Sequence, residues 1–177
     1  MKNNLVELPV PTRDGIFLAQ YTETGLAGLE FPNTKPGKPA QARDSEKAAG
    51  PVSPKIRQWH RATTAALKSV LAGRRAKQLP PLDWTGTTEF QQAVWRQMLK
   101  LGPGETRSYG EVARLIGKPK AVRAVGGSCG ANPIPVLVPC HRILAANRKI
   151  GGFSGGIERK RALLKGEGVQ MDSNHLR

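Results

Sequence analysis

A proline-bounded apolar segment ends in a Cys-His pair, and this segment constrains the fold more than any other part of the chain. Residues 132–142 read Asn-Pro-Ile-Pro-Val-Leu-Val-Pro-Cys-His-Arg, which places Cys140 and His141 at the edge of a buried stretch. A thiol is a useful nucleophile only as the thiolate, so its pKa of about 8.5 must be lowered by a nearby imidazole or positive charge. His141 and Arg142 could supply both. The alternative is a buried structural cysteine, which is also our interpretation of Cys129, because no base lies next to it.

The charge of the chain points to a polyanionic partner. The chain has 177 residues, enough for one large domain or two small ones, and it carries 28 Lys and Arg against 13 Asp and Glu. The formal net charge is +15, with a basic excess of six in residues 1–85 and of nine in residues 86–177. Both halves contribute, so a detachable basic tail does not explain the excess. Nucleic acid is the commonest partner of such a chain.

Apolar runs and cysteines exclude several classes of protein. No apolar run approaches the roughly 20 residues that a membrane helix needs, and the N-terminus lacks the core of a signal peptide. Two cysteines are too few for a disulfide framework or a cysteine-built zinc site. We therefore expect no membrane association and a reducing, cytoplasmic compartment, or the nucleus in a eukaryote.

The first third of the chain predicts a β-hairpin followed by a loop. Residues 16–21 and 26–31 are strand-like, and residues 23–25 are a plausible turn between them. Residues 32–54 change to Pro, Gly, Lys, Ala and Ser with almost no apolar side chain. This segment predicts a solvated insertion or linker, although its basic residues could also touch DNA.

A helix and an extended connector follow, and they lead to a predicted domain boundary. Gly73 ends a helix whose apolar residues recur at helical spacing, and residues 79–84 are extended. The residues of that helix face are Ile56, Trp59, Thr63, Ala66, Leu67 and Val70. We predict an N-terminal α/β domain over 1–85, a second domain over 86–170 and a polar tail over 171–177.

The second half predicts three helices. The first begins with a capping box of Thr88 and Gln91, and the second begins with a capping box of Ser108 and Glu111 and closes at Gly117. The third helix is predicted from about Pro119, a residue suited to a first helical position. We expect it to end at Gly130.

The second and third of these helices form a helix-turn-helix candidate, since both are short and a tight turn joins them. Their basic residues are Arg114, Lys118, Lys120 and Arg123. A solvated basic face is the alternative interpretation of the same pattern.

Residues 86 to 168 resemble the DNA-binding and catalytic domain of the O(6)-alkylguanine-DNA alkyltransferases, in the order and at the spacing of that family. The segments that carry the resemblance are Gly86-Thr87, Phe90-Gln91, Val94-Trp95, the run from Gly104 to Glu111, Arg123-Ala124-Val125-Gly126, Asn132-Pro133, Pro139-Cys140-His141-Arg142, Gly155-Gly156, and Leu163-Leu164 ahead of Glu167-Gly168. The N-terminal third resembles the family more loosely, through the hairpin strand after Gly25 and the helix ending at Gly73.

The resemblance implies an α+β fold and a repair reaction. The expected fold is a small N-terminal ribonuclease-H-like domain of sheet and helix, followed by a winged-helix-like C-terminal domain that contains both DNA reader and nucleophile. The implied reaction is direct, single-turnover transfer of the alkyl group from O6 of guanine, or O4 of thymine, to a cysteine. The partner would be double-stranded DNA carrying the alkylated base, bound by a monomer without a cofactor.

The roles that the resemblance implies begin with the nucleophile, Cys140. His141 would take the thiol proton, through a water, and Glu167 would orient and charge-balance the imidazole, as in a catalytic triad. Asn132 corresponds to a hinge asparagine in the turn before the active-site strand. Tyr109 would press on the phosphate side of the lesion and donate to guanine N3.

Further residues are assigned to DNA and to the flipped base. Arg123 would fill the stack that the flipped nucleotide leaves, and the resemblance adds DNA contacts by Ser108, Arg107, Lys120 and Arg142. Ser154, Phe153 and the backbone of Ile143 would contact the base. Lys160 lies where the family often has a lysine near the active-site loop, but a surface lysine is the interpretation we favour from the sequence.

The sequence departs from the family in ways that bear on metal and substrate. The cysteines and histidines that hold zinc in some relatives are missing from the N-terminal half, where His60 stands alone, so we predict no metal. At the position of Phe153, many relatives have an aromatic residue that carries a hydroxyl group. Two alternatives to the enzyme remain: a lesion sensor on the same fold, whose known examples replace the cysteine, and a winged-helix DNA-binding protein with a structural Cys-His pair.

Overall fold

The computed structural model describes residues 5–32, 52–172 and the backbone of 175–176. Its strands are β1 (Val6–Thr12), β2 (Gly15–Tyr21), β3 (Leu26–Glu30), β4 (Arg107–Ser108), β5 (Ile143–Leu144), β6 (Met171–Asp172) and β7 (His175–Leu176). Its α-helices are α1 (Pro54–Leu71), α2 (Glu89–Lys100), α3 (Tyr109–Leu115), α4 (Val122–Gly130) and α5 (Ile157–Gly166), and short 3-10 turns cover Cys140–Arg142 and Ala146–Arg148. The predicted α+β class is confirmed. Most of the predicted insertion, residues 33–51, lies outside the described residues.

The N-terminal sheet has three antiparallel strands in the order β1-β2-β3. The hairpin of β2 and β3 was predicted from the sequence, whereas β1 was not. Pro9 and Pro11 interrupt β1, and proline is tolerated only in a strand at the edge of a sheet. Both prolines are exposed, and Val10 between them is fully buried. An edge strand with this composition carries no clear strand signal in the sequence.

Helix α1 follows from its own capping and periodicity. Ser53 is the N-cap, its side chain accepts from the backbone N–H of Ile56, and Pro54 occupies the first turn. One face is buried through residues 56, 59, 63, 66, 67 and 70, as the apolar spacing predicted, and through Leu71, which was not predicted. Gly73 has a φ of +71°, the left-handed conformation that glycine adopts without strain, and it ends the helix as predicted.

The helices of the second half confirm both predicted capping boxes. Thr88 with Gln91 opens α2, and Ser108 with Glu111 opens α3. Helix α4 begins at Val122, later than the predicted start at Pro119. Residues 118–121 instead form a turn, in which the Ala121 N–H donates to the Lys118 carbonyl at 2.8 Å.

Two further short sheets belong to the second half. Strands β4 and β5 are parallel, with Arg107 opposite Ile143 and Ser108 opposite Leu144. This pairing holds the start of α3 against the segment that follows the Cys-His pair. In the predicted polar tail, β6 and β7 pair in antiparallel fashion.

A single cluster of buried apolar residues includes side chains from both predicted domains, from Val10 to Leu163. Backbone hydrogen bonds also cross the predicted boundary: the Leu29 N–H donates to Pro133 O at 2.9 Å. The division at residue 85 therefore remains a prediction. In the described part of the chain, no helix has the length and apolar character to cross a membrane.

Gly73 permits a close approach between α1 and the end of α5. A Cβ at Gly73 would lie 2.0 Å from the carbonyl oxygen of Gly166, whereas a Cβ at Gly117, whose φ is +70°, would have nothing within 4 Å. We expect Gly117→Ala to lower the free energy of unfolding by about 1–2 kcal/mol, because alanine must adopt a left-handed conformation there. Gly73→Ala should lower the free energy of unfolding by more, measured in urea. Equal losses in the two variants would contradict this packing argument.

Candidate active site

Cys140 lies at the start of a 3-10 turn, immediately after the buried segment that the sequence predicted. Its side chain is buried, with only 4% of the residue exposed. The Asn132 side chain spans the base of this turn, because its Nδ2 donates to Cys140 Sγ at 3.2 Å and to Val138 O at 2.8 Å. Its Oδ1 accepts from the Ile134 N–H at 3.0 Å. Asn132 therefore fixes both the backbone and the sulfur of the candidate nucleophile.

His141 and Glu167 form a buried pair behind Cys140. His141 Nε2 lies 3.0 Å from Glu167 Oε1, and the two side chains are 0% and 1% exposed. Burial lowers the pKa of His141, although Glu167 opposes that shift, so the imidazole is neutral at neutral pH. Its Nδ1 is buried and has no hydrogen-bond partner in the described part of the chain. The imidazole thus has one nitrogen held by a carboxylate and one available for a proton.

Arg142 completes this pair instead of contacting DNA. Its Nη2 donates to Glu167 Oε1 at 2.6 Å and its Nη1 donates to Leu101 O at 2.6 Å. Only 4% of the residue is exposed, so it cannot reach a phosphate, and the sequence-based assignment of a DNA contact to Arg142 is corrected. The signal in the sequence was ambiguous, because an arginine beside a Cys-His pair can serve either purpose.

Glu167 is held ionised by these neighbours. Burial would raise the pKa of its carboxyl, but the hydrogen bonds from His141 and Arg142 and the charge of Arg142 outweigh that effect and lower the pKa to about 2. The Gly104 N–H also donates to Glu167 Oε2 at 3.1 Å. A carboxylate this well satisfied stays charged and fixes the orientation of the imidazole.

Opposing effects act on the pKa of the Cys140 thiol. Burial raises its pKa, while the hydrogen bond from Asn132, the charge of Lys160 and the backbone amides of Cys140 and Val136 lower it. Burial dominates, so Cys140 is a protonated thiol in the resting site. Its use as a nucleophile therefore needs a base, and His141 is the neutral base beside it.

Val136 has a φ of +73°, which is strained for a β-branched residue. Such conformations cost of the order of 1–3 kcal/mol and persist only where the surrounding structure holds them. Here the strained residue supplies one of the amides that lower the pKa of the thiol. The sequence gives no sign of this conformation, because valine ordinarily avoids it.

Lys160 is fully buried, which corrects the interpretation of it as a surface lysine. Its Nζ donates to Ile143 O at 2.6 Å and to Gly152 O at 3.3 Å, and burial lowers its pKa to about 8. No carboxylate among the described residues forms a salt bridge with it. The signal was present in the sequence, since Lys160 shares the apolar face of α5 with Leu163 and Leu164.

Tyr109 begins α3 and is half-buried near the thiols. Burial raises the pKa of its phenol, and the neighbouring Cys129 and Cys140 raise it further, so the hydroxyl is a proton donor at neutral pH. A Cβ on Gly151 would lie 3.2 Å from the Tyr109 hydroxyl, which places Tyr109 against the loop before Ser154.

Cys129 is buried, and its pKa is raised to about 12, mainly by burial, as expected for a structural thiol.

The remaining predicted residues fall into two groups. Arg107, Lys120 and Arg123 are exposed around α3 and α4, and Ser108 is half-buried with its hydroxyl in the capping box of α3. In the second group, Ser154 is exposed, Phe153 is half-buried, and Ile143 is fully buried. The Phe153 ring packs edge-on against His141, with 6.4 Å between ring centroids. Phe153 and Ile143 therefore lie next to the Cys-His pair, whereas the first group lies on β4, on the turn before α4 and on α4.

Metal-binding geometry is not found in the part of the chain that the structure describes. No group of three or more His, Cys, Asp or Glu side chains there is arranged to hold an ion. His60 lies by itself, with its Nδ1 3.2 Å from the hydroxyl of Tyr21.

A buried thiol held by an asparagine, beside a neutral imidazole and an ionised carboxylate, defines a protein with a base-activated cysteine nucleophile. Comparison with known proteins narrows this class. A family model described as 6-O-methylguanine DNA methyltransferase, DNA binding domain, matches residues 89–169. The methylated-DNA–protein-cysteine methyltransferase of Mycobacterium tuberculosis is 52% identical over 99 residues, which span 56% of this chain and 59% of that protein. The sequence match thus covers about three fifths of the relative.

Solved structures extend the comparison to nearly the whole chain. The O6-methylguanine methyltransferase of M. tuberculosis is 33% identical, covers 96% of both chains and superposes with a TM-score of 0.71. The same organism's OGT in complex with DNA is 35% identical over 90% of both chains, with a TM-score of 0.67. The chain belongs to the O6-methylguanine-DNA methyltransferase family, as the resemblance of residues 86 to 168 predicted.

The charge of Lys160 should make the Cys140 thiol more acidic. Lys160→Met removes this charge, so we expect the pH at which iodoacetamide alkylates Cys140 to shift upward and the alkylation rate at neutral pH to fall. The rate is measured by peptide mass, which separates Cys140 from Cys129. Lys165→Met, an exposed lysine on the same helix, is the control. An unchanged pH profile in a folded Lys160→Met variant would contradict this role.

Proposed function

We propose that this protein repairs alkylated DNA by transferring the alkyl group from O6 of guanine to Sγ of Cys140. The arrangement of Cys140, His141 and Glu167, buried together and hydrogen-bonded through His141, is the observation that carries the proposal. Thymine alkylated at O4 is a second substrate of the same chemical kind. The names of the relatives, which are methylated-DNA–protein-cysteine methyltransferases, support the same assignment.

The proton moves first. His141 Nδ1 takes the proton of the Cys140 thiol through a water, and Glu167 stabilises the resulting imidazolium through Nε2. The ionised carboxylate makes this transfer favourable in a buried site, because the charge that develops on the ring has a partner 3.0 Å away. Asn132 and Lys160 stabilise the thiolate that remains.

Alkyl transfer then occurs by displacement at carbon. The bond between Sγ and the alkyl carbon forms as the bond between that carbon and O6 breaks, and the electron pair of the broken bond passes to the guanine. Tyr109, whose raised pKa keeps it protonated, donates to N3 of the departing base. The product is a thioether, which is not hydrolysed by an imidazole or a carboxylate. Each molecule therefore acts once, and the reaction uses no cofactor.

The substrate base must leave the duplex to reach a buried sulfur, at a cost of a few kcal/mol. Arg123 is exposed near the start of α4, from where its guanidinium could enter the stack. Lys120 and Arg107 are also exposed and could contact phosphates, in agreement with the net charge of +15. The solved complex of M. tuberculosis OGT with DNA supports DNA as the partner.

The remaining features of the proposal concern assembly and compartment. We propose a monomer that acts in the cytoplasm, or the nucleus of a eukaryote. Cys129 and Cys140 are both free, and a nucleophilic thiol requires a reducing compartment.

The nucleophile is identified by mass. After incubation with duplex DNA containing one O(6)-methylguanine, we expect a gain of one methylene on the Cys140 peptide, limited to one per molecule. Cys129→Ala should react like the wild type, and Cys140→Ala should not react. A protein that binds the DNA but gains no mass would instead be a lesion sensor, and the transfer reaction would be wrong.

A variant of Arg123 distinguishes an effect on base flipping from an effect on alkyl transfer. Arg123→Ala should slow repair of duplex DNA by about tenfold or more, because a stacking contact with a base is worth about 1–3 kcal/mol. Reaction with free O(6)-benzylguanine should be unchanged, since a free base needs no flipping. Arg74→Ala, which removes an exposed charge outside α3 and α4, is the control. Equal losses on duplex and free base in Arg123→Ala would exclude a role in flipping.

A further inference from the structure

We propose that Phe31, at the end of strand β3, is a positioning residue that sets the size of the alkyl group accepted beside Cys140. This inference rests on the proposed function. Phe31 does not reach the sulfur itself: it acts through Phe153, which packs on His141.

Strand β3 is attached to the segment that carries the nucleophile. The Leu29 N–H donates to Pro133 O at 2.9 Å, one residue after Asn132. Asn132 in turn donates to Sγ of Cys140. The backbone of β3 is therefore linked to the sulfur through residues 132–133, which hydrogen-bond to both.

The same strand is attached to the loop on the other side of the site. The Phe31 ring packs edge-on against Phe153, with 5.6 Å between centroids, and on its inner side it contacts the buried Phe17 at 5.7 Å. Phe153 contacts His141 at 6.4 Å between centroids. The rings therefore form a continuous row, which runs from the core of the N-terminal sheet to the imidazole next to the nucleophile. The row consists of Phe17, Phe31, Phe153 and His141.

The contact between Phe31 and the loop leaves no spare room. A Cβ on Gly155 would lie 2.7 Å from Phe31 Cζ and 2.8 Å from Phe153 Cε1, so only glycine fits there without displacing a ring. Arg159 holds the same region, since its guanidinium lies 4.6 Å from the centre of the Phe31 ring and its Nη1 donates to Gly155 O at 3.2 Å.

This packing limits the space for an alkyl group. In the proposed reaction, the alkyl group between guanine O6 and Sγ lies beside His141, so a group larger than methyl meets Phe153, the ring that packs on His141. Because Phe31 packs against Phe153 and is itself supported by Phe17, movement of Phe153 is resisted by the core of the sheet. A smaller side chain at position 31 lets Phe153 yield and favours larger alkyl groups.

The test compares two duplexes of one sequence, carrying either O(6)-benzylguanine or O(6)-methylguanine. DNA binding cancels in the ratio of the two second-order rate constants for Cys140 alkylation. Phe31→Ala should raise the benzyl-to-methyl ratio by about tenfold, the lower end of what one methylene is worth in an apolar pocket. Phe31→Leu, the milder variant, should raise it less and keeps the test available if the alanine variant does not fold.

Phe17→Leu is the matched control. It weakens the same core, and its ring contacts Phe31 but is not among the ring partners of Phe153 in the described part of the chain. We expect a lower melting temperature and a smaller rise in the ratio than in Phe31→Leu, because the Phe31 ring loses some support but still packs against Phe153. A ratio that rises equally in Phe17→Leu and Phe31→Leu would reflect general loosening and would overturn the proposal.

A double variant tests the route through the loop. Gly155→Ala should slow both reactions, because its methyl group displaces Phe31 and Phe153. Combined with Phe31→Ala, the same change should cost less, since one of the two obstructing rings is gone. Additive losses would overturn the proposal, because residues in contact couple and independent ones do not.

The outcomes separate this proposal from the proposed function. If the wild-type protein alkylates Cys140 from either duplex and the ratio is the same in both Phe31 variants, Phe31 does not set alkyl size, and the repair reaction stands. If the wild-type protein reacts with neither duplex, the repair reaction itself fails.

Discussion

The buried carboxylate of Glu167 is the interaction on which the rest of the site depends. It accepts hydrogen bonds from His141, from Arg142 and from the Gly104 amide, so a charge in the interior is fully satisfied. Through Arg142, which also donates to Leu101 O, it joins the end of α2 to the nucleophile segment. The end of α5, the loop before β4 and the Cys-His pair therefore meet at one carboxylate.

A second buried charge, that of Lys160, also acts on the Cys140 thiol. Lys160 is satisfied by two backbone carbonyls and not by a carboxylate, so its charge is only partly compensated in the described residues. Isolated buried charge is costly, and a thiolate at Cys140 would reduce that cost. Two features of the site thus favour formation of the thiolate: the charge of Lys160, and the neutral base His141 with its ionised partner Glu167.

The N-terminal sheet contributes to this site although it carries none of the groups that react. Leu29 and Phe31 contact the Asn132 turn and the Phe153 loop respectively, so β3 lies against both segments that hold the nucleophile. At the far end of α1, Gly73 packs on the carbonyl of Gly166, next to Glu167. The sheet and its helix therefore support the geometry of the catalytic half from behind.

The sequence by itself determined the elements that have local signals, and it predicted the reacting group. Helices α1, α2 and α3 follow from capping residues and apolar spacing within each segment, and Cys140, His141 and Glu167 from short motifs. It did not reveal β1, whose prolines mask an edge strand, or the strained φ of Val136. It placed Arg142 on DNA and Lys160 on the surface, and the structure buries both. A side chain's burial depends on residues far away in the chain, such as Leu101, Ile143 and Gly152, whose carbonyls satisfy these two cations. Only the tertiary structure brings those carbonyls within hydrogen-bond distance, and a buried cation is stable only where they are.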